Sequence, residues 1–145
     1  MRTEKDVEAY LLRSNRRYRA VEGQETERRT FLVDTGDRTP PLAVLVDPPL
    51  VVLRVHVGDL TAPAGTGGPT ESALFRKLLE LNARHLVHAS YGIEEAHVVL
   101  SSALELENLD FNEIQATLDE IDLALAQHVT LLAEIAKGAL KTNAG

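Results

Sequence analysis

The side chains best suited to chemistry are five histidines: His56, His85, His88, His97 and His128. His88 and His97 flank a short turn and would face each other across a hairpin. His56, on a neighbouring strand, would join them. Three imidazoles so placed could hold zinc. No carboxylate falls at an evident ligand spacing to them, however, and His85 and His88 straddle a change from helix to strand. Zinc or small-ligand binding by these strand histidines is therefore the alternative reading, and no metal ligand is assigned. Asp119, Glu120 and Asp122 read as the solvated face of a helix, because no base or metal ligand is placed opposite them. Gly65, Gly67 and Gly68 precede a helix as a phosphate loop would, but no Gly-Lys-Ser/Thr follows. Neither Gly-x-Ser-x-Gly nor His-Glu-x-x-His occurs. The chain has no cysteine, which removes thiol catalysis, disulfides and thiolate metal sites. The expectation is a protein that is not an enzyme, with no catalytic residue and no cofactor.

The elements that must position these residues follow from periodicity. Leu74, Phe75, Leu78, Leu79, Leu81 and Leu86 recur at helical spacing over Glu71–Leu86, with Thr70 as the expected N-cap. Leu78, Leu79 and Leu81 cannot share one narrow stripe, so the apolar arc is wide. A wide arc fits a well-buried core helix, or a helix with two contact surfaces, the protein's own sheet and a dimer interface. Asn82 lies on the buried side and needs a hydrogen-bond partner. The period then changes to two: a strand over Val87–Ser90, a turn through Gly92–Ala96, and a strand over His97–Leu106. In that strand Val98, Leu100, Ser102, Leu104 and Leu106 share one face.

Upstream, Thr3–Ala20 reads as a helix, with Thr3 and Asp6 as a capping box. Its second half carries Arg13, Arg16, Arg17 and Arg19, which complement the helix dipole. Gly23 closes that region. Short strands follow over Arg29–Asp34, Leu42–Val46 and Leu50–Val57, joined by turns that contain prolines, an antiparallel meander. In the third of these, Val51, Leu53, Val55 and Val57 form the apolar face, and Val52, Arg54 and His56 form the other. Gly58–Pro69 reads as a loose connector. The last helix, Phe111–Lys137, is marked by Asp110 and Glu113 as a capping box and by Leu109 and Ile114 as a hydrophobic staple. Gly138 is its expected stop. Its length, about 40 Å, exceeds a typical strand of about 20 Å, so an overhang is expected.

The charge is uneven. Residues 1–29 hold eight Lys/Arg and six Asp/Glu, and the remainder holds seven and sixteen. Between His85 and Ala136 there is no Lys or Arg against ten acidic residues, which argues against a phosphate backbone as partner. No stretch reaches membrane-spanning length, and the charged start lacks an apolar run of signal type. The expectation is a single domain over residues 1–145, without nucleic-acid or membrane partners and placed in the cytoplasm. Its fold class is α+β, a five-stranded antiparallel sheet with three helices in the order α-β-β-β-α-β-β-α.

Leu74-Phe75-Arg76-Lys77-Leu78-Leu79-Glu80-Leu81-Asn82-Ala83, Tyr91-Gly92-Ile93, Val98-Val99-Leu100 and Leu106-Glu107-Asn108-Leu109-Asp110 carry a resemblance. The chain resembles the YbjN-like proteins, described as bacterial sensory transduction regulators, within the superfamily of type III secretion chaperones. The element order covers nearly the whole chain, and the residue-level likeness covers about 74–110. The resemblance implies a small, acidic, cytoplasmic, non-enzymatic protein, commonly a homodimer, that docks a protein partner by strand addition and side-chain pockets. A dedicated secretion chaperone for an effector is the narrower version. Leu78, Leu79 and Asn82 are the expected dimer interface. Val52, Arg54 and His56 are the expected partner-binding surface.

Overall fold

The computed structural model describes residues 1–22, 28–36, 40–61, 63 and 65–137. Its elements are α1 (Glu4–Arg13), β1 (Tyr18–Ala20), β2 (Arg29–Val33), β3 (Leu42–Asp47), β4 (Leu50–Asp59), α2 (Gly68–Arg84), β5 (Ser90–Glu94), β6 (His97–Glu105) and α3 (Phe111–Ala136). The six strands form one antiparallel sheet in the order β1-β2-β3-β4-β6-β5. The α+β class and the three helices match the expectation, but the sheet has six strands rather than five.

The sixth strand comes from the segment read as the second half of the first helix. Thr3 starts α1 as expected, its backbone N–H donating to the Asp6 carboxylate at 2.8 Å. The helix stops at Arg13 because Asn15 takes φ 62°, a left-handed turn that reverses the chain. Tyr18 then pairs with Val33 across β1 and β2, and its ring packs edge-on against Phe31 at 5.9 Å between centroids. Arginine spacing carried no hint of this, because the strand is three residues long and is held by β2. Gly23, read as the close of that region, lies outside the described residues, as does Gly138.

Alternation decides the strand faces. Val51, Leu53 and Val55 of β4 are fully buried, as are Phe31, Val33, Val44, Val46 and Leu100 on neighbouring strands. α3 lays Ile114, Leu118, Ile121, Leu125 and Leu132 over that face, α1 contributes Val7 and Leu11, and α2 contributes Leu74, Leu78 and Leu81. Burying a leucine or isoleucine side chain contributes roughly 1.5–3 kcal/mol, so this one apolar layer dominates the stability. The N-terminus of α3 is capped by the Asp110 carboxylate, which accepts from the Glu113 N–H at 2.8 Å. Burial continues along α3 as far as Leu132, so most of the helix lies on the core rather than overhanging it.

Several boundaries differ from the sequence expectation. α2 begins at Gly68 with Gly67 as N-cap and Pro69 in its first turn, so Thr70 is inside the helix. β5 begins at Ser90, which leaves Val87 and His88 in the connection from α2. Gly92 and Ile93 belong to β5 itself, and the hairpin turns at Glu95-Ala96, with Glu95 rather than Gly92 at positive φ (55°).

Candidate functional site

All three helices cover the same face of the sheet, the face that carries Val51, Leu53 and Val55. The opposite face carries Leu32 of β2, Ala43 and Leu45 of β3, Leu50, Val52, Arg54 and His56 of β4, and Val99 and Ala103 of β6. One register row crosses it as Arg19–Leu32–Ala43–Arg54–Ser101–Ser90, and a second as Thr30–Leu45–Val52–Ala103. Leu45 and Leu50 remain more than a third exposed, and Val52 is half-buried. Among the described residues no helix or loop covers this surface, and it joins an apolar centre to charged borders. Arg54 bridges Glu94 at 2.7 Å, and Arg28 bridges Asp47 at 3.0 Å. Strand phase alone puts Val52, Arg54 and His56 together on this face, because β4 alternates regularly from Leu50 to His56.

At one end of this face the alternation breaks. His56 pairs with Val99 and Gly58 pairs with Val98, so β4 carries one extra residue there, a β-bulge. In a regular strand residues three apart point to opposite faces, so His56 and Asp59 would be separated. The extra residue restores the phase and returns Asp59 to the His56 side. Asp59 pairs in register with His97, and the Leu60 N–H donates to the Ala96 carbonyl at 2.7 Å, extending the ladder past the cluster. The result is a convergence on one carboxylate oxygen. His56 Nε2 lies 2.8 Å and His97 Nδ1 2.6 Å from Asp59 Oδ1. The rings stand edge to face, 4.9 Å apart at 80°. Hydrogen bonds from His97 and then His56 hold the Asp59 carboxyl below its ordinary value.

The structure thus brings together two of the three histidines from the sequence reading. His88 is exposed in the connection after α2 and is not part of the group. Asp59 takes its place. It falls in the segment that reads as a connector, and no spacing rule finds it, because its position depends on the bulge. Gly58 was the only local signal, since a glycine inside a strand pattern often marks a bulge.

The residues expected at a dimer interface take different positions. Leu78 is buried in the protein's own core. Asn82 is engaged with β5: its side-chain amide donates to the Tyr91 carbonyl at 3.1 Å, and its Oδ1 accepts the Tyr91 N–H at 2.7 Å. Leu79 points outward and is 68 % exposed. It shares an outer stripe with Ser72, Arg76 and Ala83, all exposed. A groove of about 260 Å³ opens beside α3, lined largely by Val57, Leu74, Val98, Val129 and Leu132.

The charged groups singled out in the sequence have local tasks. Arg16 bridges Asp119 at 2.8 Å and also Asp122, tying the turn after α1 to α3. Arg13 lies 4.1 Å over the Phe111 ring. Glu120 accepts the backbone N–H groups of Val87 and His88, the latter at 2.7 Å, and so holds the connection after α2. These carboxylates tether segments while remaining partly or largely exposed, so the solvated face also carries these links.

No helix of the described residues is long and apolar enough to cross a membrane. No curated protein matches the chain. The CesT_Tir_1 family profile matches residues 1–138, nearly the whole chain and every element described above. The chain belongs to the CesT_Tir_1 family, a type III secretion chaperone-like family.

Proposed function

We propose that the protein is a non-enzymatic, chaperone-like binding module that holds a segment of a partner protein. The carrying observation is the uncovered sheet face. It presents Leu32, Leu45, Leu50 and Val52 in neighbouring strands and borders them with Arg19, Arg54, Glu94 and Asp47. A surface with an apolar centre and charged rim fits a polypeptide better than a small molecule. Val52, Arg54 and His56 are the proposed contact residues on β4. Family membership supports the same reading, since the family is one of secretion chaperone-like proteins. Within it, the likeness of residues 74–110 favours a YbjN-like regulator, with a dedicated effector chaperone as the narrower form. The proposed setting is the cytoplasm, without cofactor or nucleic acid.

The working unit is a homodimer. Leu79 supports this, because a large apolar side chain on the outer stripe of α2 gains by burial against a second copy. Leu78 and Asn82 would support that seam from beneath, by fixing α2 on the core and on β5. Light scattering on the wild type and on Leu79→Glu tests the assembly. A dimer that the substitution splits into folded monomers supports it, and a monomeric wild type sinks it.

A further inference from the structure

We infer that His56, Asp59 and His97 form a binding site for one divalent transition-metal ion of zinc type. The three ligating atoms, His56 Nε2, Asp59 Oδ1 and His97 Nδ1, lie within 4.8 Å of one another at the end of the β4–β6 ladder. Two imidazole nitrogens and a carboxylate oxygen are the donor set that zinc accepts, with a fourth position left for water or another donor. Nothing in the site rests on dimerisation, although His56 also belongs to the proposed partner-contact surface.

Three features favour an ion over a simple hydrogen-bonded cluster. First, both imidazole nitrogens point to the same carboxylate oxygen, so the three potential ligand atoms gather in one place rather than running in a chain. Second, the rings approach at 80° to each other, which spreads the donors around a centre instead of stacking them. Third, all three side chains stand on paired strands, and the bulge that unites them fixes backbone rather than rotamers alone. With metal–ligand distances of about 2.0–2.2 Å, donors around a tetrahedral ion sit about 3.3 Å apart. The Asp59 contacts at 2.6 and 2.8 Å need to open by about 0.7 and about 0.5 Å, and the two imidazole nitrogens, within 4.8 Å of each other, need to settle at the same spacing through side-chain rotation.

Binding requires each ring to present a lone pair where it now presents a proton. His56 must carry its remaining proton on Nδ1 and His97 on Nε2, with any second ring proton released to solvent. The Gly58 carbonyl, 3.1 Å from His56 Nε2, then faces the ion rather than a ring N–H.

The test is a titration of the full chain with zinc chloride in a non-chelating buffer, followed by NMR of the histidine rings. The expected result is that the His56 and His97 ring signals shift and saturate at one equivalent, reversed by EDTA, while those of His85, His88 and His128 stay in place. Calorimetry is expected to give one site, weakened at least tenfold by His97→Ala and by Asp59→Asn. The conservative Asp59→Asn keeps side-chain size, so a folding defect in one variant leaves the other to decide. No ring shift up to millimolar zinc overturns the site. So does a shift centred on His85 or His128, or an unchanged affinity in both folded variants.

Discussion

The Asn82 side chain stands in for a missing strand beside Tyr91. It donates to the Tyr91 carbonyl and accepts the Tyr91 N–H, so α2 closes part of the free edge of β5. An open edge invites pairing with another chain, and a helix-borne amide is one way to blunt it.

Replacing Asn82 by Ala leaves both Tyr91 backbone groups without their protein partner. We expect a loss of about 1–3 kcal/mol, read as a lower urea midpoint with unchanged slope. A midpoint equal to that of the wild type would show that water replaces the amide at no cost.

His128 is expected to give the protein's stability a pH dependence. Its Nδ1 shares a hydrogen bond of 2.8 Å with the Tyr91 hydroxyl in a buried setting. Burial first, then the neighbouring His85 and Lys77 charges, push its pKa below the ordinary 6.5. The unfolded chain therefore binds a proton at His128 more readily than the folded one. Its contribution is fully present above pH 6.5 and is lost as pH falls from there toward the folded value. Urea midpoints should drop between pH 7.5 and 5.5, and His128→Gln should flatten that drop. An identical drop in the variant would assign it to other groups.

Tyr91→Phe removes the other side of the same bond. It leaves His128 Nδ1 unpartnered at the cost of about 1–2 kcal/mol, measured by thermal or urea unfolding at pH 7.5.

Arg16 ties the turn before β1 to α3. Its side chain is only 15 % exposed, whereas Asp119 and Asp122 are 61 % and 42 % exposed and can rehydrate. Arg16→Ala is expected to cost only about 1 kcal/mol, and the cost should shrink at high salt. A salt-independent loss of several kcal/mol would point instead to packing of the arginine stem.

Glu95 occupies the first loop position of the β5–β6 hairpin at φ 55°, which costs a residue with a Cβ about 1–2 kcal/mol. Glu95→Gly is therefore expected to raise stability by a few tenths to 1 kcal/mol, net of the entropy glycine adds to the unfolded chain. A fall in the melting midpoint would refute this.

Sequence alone determined the elements whose signal is local. α3 follows from Asp110, Leu109 and the spacing of Ile114, Leu118, Ile121 and Leu125. The two faces of β4 follow from period two, which put Val52, Arg54 and His56 together before any partner strand was known. The wide arc of α2 is likewise local, and so is the need of Asn82 for a partner. What only the tertiary structure decided depends on residues far apart in the chain. β1 is too short to form without β2, so the second half of the first helix could not be told from a turn and strand. Leu78 and Leu79 are adjacent and chemically alike, and only packing sends one to the core and the other to solvent. Asp59 joins His56 and His97 because a single extra residue in β4 shifts the phase of everything beyond it. Such a bulge is fixed by pairing with β6, some forty positions later, and local composition has no access to that register.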